Sequence, residues 1–86
     1  MEIEKLLNSD SSVKTDDHKK ALLAKYPPGV TEETITGQGV VIIQRVVVKN
    51  GDVWVFQKKI FSFGVISYFR DGAAITELIY ENETKP

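Results

Sequence analysis

The sequence has no cysteine, one histidine, one tryptophan and only three prolines in 86 residues. Without cysteine there is neither a disulfide framework nor a thiolate metal site, although many secreted bacterial proteins also lack it, so compartment stays open. His18 stands alone beside Asp16 and Asp17, and an acid-base or metal role would need partners from a sheet that offers mostly apolar and amide side chains. No G-x-S-x-G elbow occurs, and Ser62 and Ser67 fall in or near strands, so nucleophilic catalysis is not expected. Eleven basic residues against twelve acidic ones leave a net charge of −1, too little to attract nucleic acid or anionic lipid through an overall field. Residues 36–72 carry five bases and two acids, which reads as an ordinary solvated sheet surface. No apolar run approaches the roughly eighteen residues of a membrane span, and the first residues lack the basic and apolar regions of a signal peptide.

What is present is dominated by one stretch, VVIIQRVVVKNGDVWVFQKKIF from Val40 to Phe61. Two β-branched and aromatic runs joined by Asn50-Gly51 predict a hairpin with a type I′ turn, because both central residues must take positive φ and these two tolerate it. Counting outward pairs Lys49 with Asp52, Val48 with Val53, Val47 with Trp54 and Arg45 with Phe56. One face then bears Val41, Ile43, Val47, Trp54, Phe56 and Ile60 with Arg45 and Lys58. The other bears Val40, Ile42, Val46, Val48, Val53, Val55 and Phe61, interrupted by Lys59 and by Gln44 opposite Gln57. Neither face shows the polar alternation of a sheet with one wet side, so both faces want cover.

Along the chain, MEIEKLLN (residues 1–8) has helical spacing but is too short to stand alone, and NSDSSVK is a polar linker. Thr15 is placed to cap a helix from Asp16 to about Lys25, which must end at Tyr26 before Pro27-Pro28-Gly29. Val30 to Thr36 reads as a short edge strand with its acids facing water. Gly37-Gln38-Gly39 turns into the hairpin, and no helix follows it, which removes the phosphate-cradle reading. Ser62-Phe63-Gly64 is a second turn, Val65 to Arg70 a further strand, Asp71-Gly72 another type I′ signal and Ala73 to Glu81 the last strand, with Phe69 opposite Ala74, Tyr68 opposite Ile75 and Val65 opposite Leu78. The expected fold is α+β, one short N-terminal helix packed on a five-stranded antiparallel β-meander. Residues 1–14 form a helical remnant and linker, 15–81 the domain and 82–86 a polar tail. Asn82-Glu83-Thr84 fits a glycosylation sequon, with nothing else pointing to a eukaryotic secretory pathway.

A helix of this length covers only one sheet face, so a partner or a curled sheet is expected to cover the other. Trp54, Phe56 and their neighbours are read first as core. The candidate interaction surface is therefore the opposite face, Val40, Ile42, Val46, Val48, Val53, Val55, Lys59 and Phe61, and a homodimer through the sheet is the simplest partner. The alternative is a stacking site for single-stranded nucleic acid or glycan built from Trp54, Phe56, Arg45 and Tyr68. The residues suggest no catalytic group, metal ligand or cofactor.

The segments ALLAKYPPGVTEET (Ala21 to Thr34), QRVVVKNGD (Gln44 to Asp52) and FGVISYFRDGAAIT (Phe63 to Thr76) together resemble the C-terminal β-rich part of Bacteroidota envelope-associated proteins whose upstream region is a tetratricopeptide-like helical array. The fragment Glu2 to Asn8 is similar to the end of one of those helical repeats. Where that family has Trp-Gly-Gly this chain has Phe63-Gly64-Val65, and the family asparagine before glycine is Asp71 here. Both changes keep the turn chemistry. A looser similarity is to MORN-type hairpin repeats, matched by Gly64 to Gly72 without their tryptophan. The resemblance implies no catalytic residues. It implies a bacterial envelope or periplasmic setting, with a cytoplasmic one left open, and a helical-repeat region upstream; the two-sided apolar hairpin and absent site chemistry add the expectation of a non-catalytic module that mediates protein association, with protein rather than nucleic acid as partner.

Overall fold

The computed structural model of the protein describes residues 16–85. The expected remnant and linker at residues 1–14, and the Thr15 cap, lie outside the described residues. Helix α1 (Asp16–Lys25) leads into strands β1 (Gly29–Gly37), β2 (Val40–Lys49), β3 (Asp52–Phe61), β4 (Ile66–Arg70) and β5 (Ala73–Ile75), and the chain closes with helix α2 (Glu77–Glu83). The strands form one antiparallel sheet in the order β1-β2-β3-β4-β5. The fold is the expected α+β meander, with a second helix added at its end.

The central hairpin has the register counted from the sequence, from Lys49 opposite Asp52 to Val40 opposite Phe61. Asn50 and Gly51 sit at φ 54° and 75°, and Asp71 and Gly72 at 48° and 85°, so both turns take the type I′ conformation, whose twist matches that of the flanking strands. Around the second turn, Phe69 pairs with Ala74 and Tyr68 with Ile75. The Asp71 carboxylate accepts from the Val55 N–H at 2.9 Å and the Asp71 N–H donates to the Val55 carbonyl at 2.8 Å. This turn therefore pairs Val55, the first residue of β3 beyond its register with β4.

The last strand is shorter than expected. Pairing stops at Ile75, and Glu77 to Glu83 is helical, so Val65 does not meet Leu78. The physical reason is an N-cap: Thr76 keeps extended backbone at φ −89° and ψ 161° while its hydroxyl oxygen accepts from the Ile79 N–H at 3.2 Å, and Glu77 places an acid in the first turn. At the other end Thr84 donates to the Tyr80 carbonyl through both its N–H (3.2 Å) and its hydroxyl (2.7 Å). Thr84 is 2 % exposed, so the expected polar tail from residue 82 is in part a helix end fixed inside the fold.

Two helices thus cover two faces. On one face, Leu22 and Leu23 of α1 and Tyr26 just after it pack on Val46, Val48 and Val53. On the other, Tyr80 of α2 lies against Phe56 at 6.3 Å between ring centroids and against Tyr68 at 5.2 Å, and its hydroxyl donates to the Ile43 carbonyl at 3.1 Å. Tyr80 is 1 % exposed. A helix of seven residues is too short to persist alone, so packing must hold it. Tyr80→Ala is expected to lower stability by about 3–5 kcal/mol, and Tyr80→Phe, which loses only the hydrogen bond, by about 1 kcal/mol. Urea unfolding followed by Trp54 fluorescence separates the two, and equal losses would show that the ring is not the anchor.

Candidate functional site

The eight residues expected to form an interaction surface do share one face of the hairpin, but that face is interior. Val40, Ile42, Val46, Val48, Val53 and Lys59 are all buried, and Val55 and Phe61 are half-buried. The expectation of a free surface there is corrected. Helix α1 packs on this face rather than on the face of Trp54. The cause is local: Tyr26 follows the helix, the two prolines turn the chain straight into β1, and the Tyr26 hydroxyl donates at 2.7 Å to Glu33, whose side chain shares the face of Gln44 and Val46.

That contact starts a buried polar row. The Gln44 side-chain amide donates to the same Glu33 oxygen at 3.1 Å, and the Gln57 amide donates to the Gln44 side-chain Oε1 at 2.8 Å. Glutamines facing each other across β2 and β3 would be costly in an apolar layer if unpaired, yet among the described residues no buried side-chain nitrogen or oxygen lacks a partner. Next in the row, the Lys59 ammonium lies 4.3 Å from the centre of the Phe69 ring, and burial lowers its pKa. The half-buried acid at Glu33 therefore turns over the sheet and anchors the helix end, where an edge strand with its acids in water was expected.

On the opposite face the alternative stacking set meets a different obstacle. Phe56 is 2 % exposed, and Phe56, Tyr68 and Arg45 surround Tyr80, with the Arg45 guanidinium 5.1 Å from its ring centre. The place where a base or sugar ring would stack is filled by a ring of the chain itself. Trp54 stays half-buried on the same face. Arg45 is the polar centre here: it donates to Glu32 at 2.8 Å and to the Thr84 hydroxyl at 2.8 Å, with Glu81 at 3.9 Å. An open cleft of about 380 Å³ lies beside it, lined by Val30, Glu32, Arg45, Glu81, Thr84 and Lys85. Its charges of both signs are largely paired with one another, which leaves little field for an ionic ligand.

His18 is exposed on α1, and among the described residues no group of three or more His, Cys, Asp or Glu side chains could hold a metal ion. No described helix is long and apolar enough to cross a membrane. Exposed apolar side chains gather at the β3–β4 turn, where Phe63 is 75 % exposed and stacks on Phe61 at 5.4 Å, followed by Val65 and Ile66 at 48 % each. Sequence alone puts Tyr80 on a strand and Thr84 in a tail. The cap pair Thr76-Glu77 signals the helix that carries Tyr80, whereas the burial of Thr84 has no local cue. No family, no curated protein and no solved structure matches this chain.

Burial and the contact with Glu33 push the Tyr26 pKa up to about 12. A tyrosine whose folded pKa lies above its unfolded value of about 10 adds stability that is complete below pH 10 and is lost as pH rises toward 12. Unfolding measured across that window should show a loss of order 1–2 kcal/mol that Tyr26→Phe largely removes. An unchanged slope in the variant would assign the loss to other groups.

Proposed function

We propose that this chain is a non-catalytic β-meander module whose work is protein association, in the setting of a bacterial cell envelope. The observation that carries the reading is the open edge of the sheet. Among the described residues, strand β1 runs for nine residues, is bonded to β2 on one side only, and exposes Glu32, Thr34 and Thr36. A strand with one unpaired side offers a row of backbone donors and acceptors to another chain. The one sheet face that sequence leaves for a partner is instead packed against helix α1, and the opposite face holds Tyr80 of α2, which moves the candidate contact from face to edge.

The envelope setting rests on the resemblance of YPPGVTEET and its companion segments. Fractionation of cells expressing the native gene tests it, and recovery of the protein in the cytosol alone would overturn it. The association reading is tested by sedimentation velocity from micromolar to near-millimolar concentration. Reversible self-association is the expected outcome. A strict monomer throughout, with the amides on the outer side of β1 exchanging freely, would remove the reading.

A further inference from the structure

We infer that the occupant of the β1 edge is a second copy of β1, joined antiparallel about a twofold axis at Thr34. This inference rests on the association reading above. Nature usually blunts sheet edges with short strands, prolines, lysines or bulges, and this sheet treats its two edges differently. The far edge is β5, three residues long and followed at once by α2. The near edge is nine residues of GVTEETITG, with no proline or lysine and a continuous register to β2.

Its two acids do not defend it. Glu32 accepts from Arg45 at 2.8 Å, and Glu33 accepts from Tyr26 and Gln44. Both carboxylates are thus drawn back over the sheet by partners on their own chain, with the Glu32 charge met by Arg45 and Glu33 held by neutral donors. A copy of the same strand is accepted there in a register that keeps like carboxylates from facing each other.

The hydrogen-bonding parity is fixed by the hairpins. A two-residue turn makes its flanking residues a hydrogen-bonded pair, and bonding then alternates along an antiparallel ladder. The Asn50-Gly51 turn directs Lys49, Val47, Arg45, Ile43 and Val41 to β3, leaving Val48, Val46, Gln44, Ile42 and Val40 for β1. Their partners Gly29, Thr31, Glu33, Ile35 and Gly37 therefore point inward, and Val30, Glu32, Thr34 and Thr36 direct their backbone groups to the open side.

Twofold pairing must place outward residues opposite outward residues. Centring it on Glu32 sets that carboxylate against its own copy, and centring it on Glu33 does the same there. Centring it on Thr34 pairs Thr34 with Thr34 of the second copy, Glu32 with Thr36 and Glu33 with Ile35. This is the longest register in which no carboxylate faces another, and threonine opposite threonine is a favourable cross-strand pair. The result is a sheet continuous through both copies.

The test uses two variants. Thr34→Pro removes an outward N–H and leaves the inward ladder of Glu33 and Ile35 intact, and Thr34→Lys sets a lysine against its own copy. Circular dichroism and Trp54 fluorescence should match wild type in at least the lysine variant, and sedimentation velocity should show dimerisation weakened tenfold or more in every folded variant. Hydrogen exchange on the wild type should show the Glu32, Thr34 and Thr36 amides becoming protected as concentration rises. A wild-type dimer that both folded variants retain, with those amides unprotected, overturns the edge assignment and leaves association standing. If Phe63→Ser dissociates such a dimer instead, the interface is the apolar turn. A wild type that stays monomeric overturns the association reading, and this inference falls with it.

Discussion

A hairpin that is apolar on both faces has to be buried on both, and every other element of this fold answers to that constraint. Valine, isoleucine and aromatic side chains alternate onto opposite sides of β2 and β3 with few polar interruptions. Burial of each such side chain is worth roughly 1.5–3 kcal/mol, so a single covering layer would forfeit much of the available stability in a chain of this size. The molecule meets the demand with two short helices from opposite ends of the meander, each delivering one tyrosine. Tyr26 closes one side and Tyr80 the other, and both keep their hydroxyls bonded, to Glu33 and to the Ile43 carbonyl. An aromatic ring with a polar tip suits such a place, since it fills apolar space and still satisfies a buried polar group.

This arrangement redirects the functional argument. An uncovered face was the reason to expect a partner, and the chain supplies that cover itself at the residues where the helices pack. Among the described residues, the two helices leave open the edge of β1 and the exposed turn at Phe63, Val65 and Ile66. The aromatic face changes meaning in the same way. Arg45, Phe56 and Tyr68 resemble a stacking site in sequence because the residues that bind a flat ligand are also those that hold Tyr80.

Much of the sheet was legible in the sequence because its cues are local. Asn50-Gly51 and Asp71-Gly72 fix turn type by steric tolerance of positive φ, and turn type fixes register by counting. The end of α1 was legible because Tyr26 precedes a proline. The stretch from Ala73 to Glu81 was not read correctly, because a short apolar segment carries no distinct period and its outcome turns on one cap at Thr76 together with packing from distant strands. The candidate surface was grouped correctly onto one face and assigned the wrong environment, because alternation says which residues point together and nothing about what lies over them.

The sequence by itself determined the hairpin, its register, the meander order and the position of α1, all consequences of steric limits on single residues and of the two-residue period of a strand. Only the tertiary structure decided which helix covers which face, that Ala73 to Glu83 divides into strand and helix, and that Glu32 and Glu33 turn inward to Arg45 and Tyr26. Those outcomes depend on contacts between residues far apart in the chain, such as Arg45 with Thr84, whose energies exist only once the sheet has brought the partners together.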